Sequence, residues 1–203
     1  MKILGVIALL TLAVTASGCS AERRASAAPR AAKTCPAGWQ QLAKRIQAPV
    51  YCPGWLPDPL VGRIGGRWNN IDVVSADRSY LESFVWQETG GGAAGGEIHV
   101  NLRGYPGRTA IPICSDHQLV RGKLRKTPVP CFADPRGRVR AGGIAATVYT
   151  VNQDADQWHV LYAWRRAGSL YALSEHVAPP FSYAKVRANL DRMLRNLVLV
   201  RPK

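Results

Sequence analysis

The chain has 203 residues, with 27 Lys and Arg against 13 Asp and Glu, a formal net charge of +14, and five cysteines. A basic excess of this size invites a nucleic-acid reading. The charge is mostly arginine scattered among Ala, Gly and Pro, and no stacking-aromatic or base-reading motif accompanies it, so nucleic acid is set aside as a partner.

The first segment reads as an export signal. Lys2 supplies a positive start, Ile3 to Ala16 an apolar run, and Ser17-Gly18 small residues before Cys19. Fourteen helical residues span about 21 Å, short of the roughly 30 Å hydrocarbon core, which argues against a permanent transmembrane helix. Ala16-Ser17-Gly18-Cys19 resembles the lipobox of bacterial lipoproteins. The resemblance implies that residues 1–18 are a signal peptide and that Cys19 becomes a lipidated N-terminus. It would carry a diacylglyceryl group and often a further acyl chain such as palmitate. Two or more chains give stable anchoring where one gives only marginal binding. The implied location is the extracytoplasmic face of the cell membrane, or the outer membrane in a Gram-negative cell, since Ser20 is not the retention Asp. An ordinary secretory signal cut nearby would instead leave Cys19 as an unpaired thiol.

Residues 20–34 are rich in Ala and Ser, contain Arg23, Arg24, Arg30 and Lys33 against Glu22, and show no apolar periodicity. They read as a flexible basic tether, so that 19–34 form the lipidated cysteine and its linker. The remaining 169 residues, 35–203, make one domain of ordinary size, able to bury about 70% of its extended-chain surface. Their own balance is 22 basic against 12 acidic side chains.

Four cysteines lie in this domain, and three connectivities are possible. Cys35 and Cys52 are separated by sixteen residues, and so are Cys114 and Cys131. Neighbour pairing closes two similar loops, each worth roughly 3 kcal/mol, and gives the expected bridges Cys35–Cys52 and Cys114–Cys131. The short C-x₂₋₄-C spacing of a zinc site is absent.

Trp39, Leu42 and Ile46 recur at helical spacing over Trp39–Ala48, and Pro49 stops the helix. The first bridge would pin this helix to Val50-Tyr51-Cys52. Gly62-x-x-Gly65-Gly66 lacks the Lys-Ser/Thr of a phosphate loop. Strand signals follow at Ile71–Val74, Tyr80–Glu88 and Glu97–Arg103, the last alternating cleanly between Ile98, Val100, Leu102 and His99, Asn101, Arg103. Residues 90–96, all Gly or Ala, read as a floppy hairpin loop.

Three further strands are expected at Ile144–Val151, Gln157–Arg166 and Ser169–His176, with turns at Asn152–Asp156 and Ala167-Gly168. Ser182 is the expected N-cap of a helix to about Asn196, with Tyr183, Val186, Leu190, Met193 and Leu194 on one face. Leu197–Val200 reads as a last short strand. The fold class is therefore α+β: a mainly antiparallel sheet, an N-terminal helix, a C-terminal amphipathic helix packed on the sheet, and two disulfides. Over roughly residues 141–200 this strand-strand-strand-helix ending is similar to PsbP-like domains of exported lipoproteins. That likeness rests on pattern and implies no functional residue.

Candidates for chemistry are few. His99, His117, His159 and His176 could converge on a metal with Glu97 or Glu175, but no H-x-x-x-H or H-E-x-x-H spacing supports it. Hydrogen-bonded structural histidines are the default, and neither metal nor cofactor is expected. Ser174-Glu175-His176 has triad residue types, yet consecutive strand residues face opposite ways. No G-x-S-x-G elbow occurs. Asp154 and Asp156 lie in an apparent turn, where Asp serves backbone geometry.

Two recognition surfaces remain. Arg121, Lys123, Arg125, Lys126, Arg136, Arg138 and Arg140 fall in a stretch of twenty residues whose one acid is Asp134, and four of them lie inside the second stapled loop. They could grip an anionic lipid, a wall polymer or an acidic envelope protein; the plainer reading is a solvated basic face. Trp158, Tyr162 and Trp164 share one strand face and could wall an apolar ligand groove, though core packing explains them more simply. The expected function is a non-catalytic ligand- or partner-binding domain on a membrane-anchored lipoprotein. An envelope hydrolase acting on wall or lipid and a scaffold of an envelope complex are the alternatives.

Overall fold

The computed structural model describes residues 35–59, 66–88, 98–151 and 156–203. The putting-together begins with a helix, α1 (Ala37–Ile46), which buries Trp39, Leu42, Ala43 and Ile46 on one face. It ends where Gln47 takes a left-handed conformation (φ 52°) two residues before Pro49. The following strand β1 (Val50–Pro53) pairs antiparallel with β11 (Leu197–Val200), so the start and end of the domain are zipped together.

The main layer is a seven-stranded antiparallel sheet. Its strands are β2 (Gly66–Val74), β3 (Tyr80–Glu88), β4 (His99–Tyr105), β7 (Gly137–Ala141), β8 (Ile144–Val151), β9 (His159–Arg166) and β10 (Ser169–His176). Their spatial order is β2-β3-β4-β10-β9-β8-β7. Two meanders thus meet at the β4–β10 seam, and β10 is the central strand. Between β4 and β7 the chain leaves the sheet to form a separate hairpin of β5 (Ile113–Val120) and β6 (Lys123–Pro130). The second helix, α2 (Tyr183–Arg195), is capped by Ser182, whose side chain accepts from the Lys185 backbone N–H.

Because strand side chains alternate, the sheet has two distinct faces. One is covered by the helices: Val100, Leu102, Val160, Tyr162, Tyr171 and Leu173 pack with Val186, Leu190, Met193 and Leu194 of α2 and with the buried face of α1. Tyr80 lies opposite Gly104 and its ring covers the glycine, leaving no room there for a Cβ. The other face carries a smaller apolar cluster of Phe132, Leu161, Ala163, Leu170 and Ala172 around Val151. Both bridges form between the expected cysteines, Cys35–Cys52 with Cα atoms 6.2 Å apart and Cys114–Cys131 at 4.8 Å.

The fold is the mostly-sheet α+β arrangement with two disulfides that the sequence leads one to expect. The strands at 80–88, 144–151 and 169–176 and the last strand at 197–200 occupy the expected residues. Two differences are substantive. No strand is expected between residues 105 and 140, where β5, β6 and β7 form. Pro128 and Pro130 argue against a strand, but β6 has a partner on one side only, where a residue without an N–H is tolerated. The first strand signal also begins five residues late, because polar Arg67, Asn69 and Asn70 hide the start of β2. The signal segment, Cys19, the tether, Gly62, Gly65, the 90–96 loop, Glu97 and Asp154 lie outside the described residues. Among the described residues no helix is long and apolar enough to cross a membrane.

Candidate functional site

At one end of the sheet face away from the helices, polar side chains replace apolar ones. Three adjacent strands each contribute a histidine: His99 opens β4, His159 opens β9 and His176 closes β10. His176 is the direct cross-strand partner of His159. The β10–β4 register pairs Glu175 with Val100 and Ser174 with Asn101, which carries His99 to the same row. The three ring centroids lie 4.5 to 5.3 Å apart, with His159 and His176 stacked and His99 tilted against both. One nitrogen from each lies within 4.8 Å of the other two.

His159 is the most deeply buried of the three. Its Nδ1 is 2.9 Å from Ser174 Oγ and 3.5 Å from Asp156 Oδ1, and its Nε2 is 2.8 Å from His99 Nε2. Ser174 Oγ donates to Asp156 Oδ1 at 2.7 Å. A hydroxyl has one proton, so Ser174 accepts from His159, which fixes the proton on Nδ1. The lone pair of His159 Nε2 then accepts from His99 Nε2–H at 2.8 Å.

Asp156 anchors this relay. Asn101 Nδ2 donates to Oδ1 at 3.0 Å, and Arg103 pairs with Oδ2 at 3.2 Å. Burial pushes the Asp156 carboxyl up, but Arg103 and the hydrogen bonds from Asn101 and Ser174 outweigh it and hold the group below its ordinary value. Burial drives the His159 imidazole down, against the attraction of Asp156, and His99 and His176 add to the fall. At neutral pH the pair is therefore a carboxylate beside a neutral imidazole.

This set has the chemistry of a metal site with its supporting shell. Transition metals take neutral imidazole nitrogen, and a carboxylate or backbone acceptor on the other ring nitrogen commonly fixes the ligand. In a tetrahedral zinc site with nitrogens about 2.0–2.1 Å from the ion, neighbouring nitrogens stand roughly 3.3 Å apart. An ion entering here would replace the 2.8 Å His99–His159 hydrogen bond and spread that pair by about half an ångström. His99 and His176 are half-buried, while His159 is buried and held by Ser174 and Asp156.

Several expected site residues fall elsewhere. His117 sits on the β5–β6 hairpin, exposed and apart from the other three. Glu175 cannot complete the cluster, since it points to the opposite face, where Asn189 of α2 donates to Oε1 at 2.8 Å. There burial raises its carboxyl to about 8. Ser174 and Asp156 do not form a nucleophilic triad with His159, because both engage the same ring nitrogen and Ser174 gives its proton to the carboxylate. Asp156 itself is buried in this network rather than serving a solvated turn.

Trp158, Tyr162 and Trp164 do not make one wall. Tyr162 and Trp164 are core residues, the former donating to Asp191 of α2 at 2.8 Å. Trp158 is 62% exposed, turned out by a left-handed backbone (φ 59°), and with Tyr183 and Val177 lines a cavity of about 300 Å³. A larger cleft of about 620 Å³ lies between α1 and the β2–β3 edge, with Trp39, Arg45, Asp72, Glu82 and Phe84 among its walls. The basic set is divided: Arg121, Lys123, Arg125 and Lys126 are exposed on the hairpin, whereas Arg136, Arg138 and Arg140 are exposed at or on β7, the outer strand of the main sheet.

No protein-family model, no curated protein and no solved structure matches the chain. The site is read from its own geometry. Linear spacing does not show the convergence, because His99 and His159 are 60 residues apart and only the register of β4, β10 and β9 joins them. The usable signal was narrower: one histidine at the same end of each of three strands.

Proposed function

We propose that the chain is a lipid-anchored protein of the bacterial envelope whose folded domain binds a divalent transition-metal ion through His99, His159 and His176. The observation that carries the reading is the meeting of three imidazole nitrogens within 4.8 Å, one of them oriented by a buried carboxylate network. Three nitrogen ligands suit zinc, copper or nickel better than calcium or magnesium, which prefer oxygen. The role is binding rather than nucleophilic catalysis, since Ser174 is buried and spends its proton on Asp156. The lipobox-like Ala16-Ser17-Gly18-Cys19 supports the anchor, and an oxidising location accords with two disulfides.

Zinc titration of the chelator-treated protein by calorimetry tests the metal reading. The parent should bind one equivalent, and His159→Ala should weaken binding by at least about a hundredfold, since it removes a ligand together with its supporting shell. X-ray absorption should report nitrogen scatterers near 2.0–2.1 Å. Equal, weak binding by parent and variant would refute it. The anchor is tested separately: Cys19→Ala should move the protein from the membrane pellet to the soluble fraction.

A further inference from the structure

The β5–β6 hairpin is built unlike the rest of the domain. It forms its own two-stranded sheet. At its base the Cys114–Cys131 bond and the Cys131 N–H, donating to the Pro112 carbonyl at 2.9 Å, close the two arms on each other, while Ile111, Cys131 and Phe132 pack into the smaller apolar cluster of the main sheet. From His117 to Pro128 every residue is exposed. A lone two-stranded hairpin is marginal in water. The disulfide at the base and a tight turn, with Arg121 and Gly122 both in left-handed conformations (φ 50° and 72°), are what hold this one.

Its tip is greasy and cationic at once. Leu119 and Leu124 are direct cross-strand partners and are 75% and 70% exposed. Val120, 41% exposed, lies beside the turn on the opposite face. Around these three stand Arg121, Lys123, Arg125 and Lys126. The nearest acid, Asp116, is further down the hairpin and accepts from Gln118 at 2.7 Å.

We infer that the 119–124 tip is a membrane-docking wedge that inserts Leu119, Leu124 and Val120 among the lipids of an anionic bilayer while Arg121, Lys123, Arg125 and Lys126 meet the phosphates. Apolar and cationic side chains occur on both faces of the hairpin, as a tip surrounded by lipid requires; a partner protein seated on one face would leave the other uncovered. Long basic side chains lay their stems along apolar surface and keep their charge at the headgroups. Each cation near an anionic surface is worth roughly fivefold in partition. A second copy of this hairpin fits badly, because four cations of one tip would face four of the other. The inference does not rest on the metal reading or on the Cys19 anchor.

Vesicle sedimentation tests it, using residues 20–203 so that neither the apolar run 3–16 nor an acyl chain contributes. Binding to phosphatidylcholine vesicles containing phosphatidylglycerol should exceed binding to phosphatidylcholine alone, and added salt should weaken it. Leu119→Ser/Leu124→Ser should lower binding roughly tenfold or more, and Arg121→Gln/Lys123→Gln should do the same. All four sites are exposed, so these changes leave the core untouched; an unchanged circular-dichroism spectrum and an unchanged thermal transition confirm folding. Leu119→Trp supplies a second reading: brominated lipid should quench its fluorescence beyond the quenching of the parent. Insertion is refuted if the leucine variant binds as the parent does, or if the tryptophan is not quenched. Should polyglutamate then compete with vesicles and bind both proteins equally, the tip is a site for an acidic protein instead.

Discussion

The two faces of the seven-stranded sheet are written by alternate residues of the same strands, yet they do different work. In β4, Val100 and Leu102 point under the helices, while His99, Asn101 and Arg103 point the other way. In β10, Leu173 and Glu175 face α2, while Ser174 and His176 join the polar cluster. The helix face stabilises by apolar burial and tolerates two buried carboxyls, Glu82 and Glu175. The opposite face holds a network in which Asn101, Arg103, Ser174 and His159 converge on the Asp156 carboxylate. A rigid apolar layer directly behind the polar one fixes the position of His159, because each strand is packed from the rear.

Glu175, buried beneath α2, gives the largest expected effect on the helix face. Its folded value of about 8 lies above the ordinary 4.5, with burial as the main cause and Asn189 and Lys185 opposing. The sign follows: its contribution to stability is fully present below the unfolded value and is lost as pH rises through about 8. Unfolding free energy should fall by several kcal/mol across that window from this group alone, and Glu175→Gln should flatten the fall. Urea titrations at a series of pH values check this. A profile identical in parent and variant would show that the carboxyl is not buried beneath α2.

Leu102→Ala on the same face should cost about 2–5 kcal/mol in urea unfolding, as a fully buried leucine in the main core. Zinc affinity of the folded variant should stay close to that of the parent. A large loss of affinity without a loss of stability would mean that the two faces are not separable as described.

On the polar face, Asp156→Asn should do the reverse. It removes the charge that faces Arg103 and turns one of the two carboxylate acceptors, which between them serve Arg103, Ser174 and His159, into an NH2 donor. Zinc affinity should drop about 10–100-fold by calorimetry. The smallest effect is expected at Ser182→Ala, about 1 kcal/mol in thermal or urea unfolding with no change in metal binding.

Much of the helix face was legible in the sequence, and the reason is local. Alternation in 144–151 and 98–103, a Ser cap before an amphipathic run, and an Ala-Gly turn whose residues take φ of 48° and 73° are all short-range signals. The pairing of cysteines at equal spacing was legible for the same reason. The polar site was not, because which histidines meet depends on strand register across β4, β10 and β9. Asp156 looked like a turn residue because its partners, Asn101, Arg103 and Ser174, come from two other strands. The hairpin escaped notice because its leucines are exposed and its second strand carries two prolines, which inverts the usual cues.

The covalent bridge between Cys35 and Cys52 has a mechanical consequence. Tension arriving along the chain ahead of Cys35 has two routes into the domain, the backbone through α1 or the sulfur link straight into β1. The sulfur link is far shorter, so it takes the load and α1 hangs slack in the closed loop. The force then passes by the antiparallel β1–β11 ladder to the residues that follow α2. A pull from the N-terminal side is thus delivered to the far end of the polypeptide without first unravelling the helix that begins the domain.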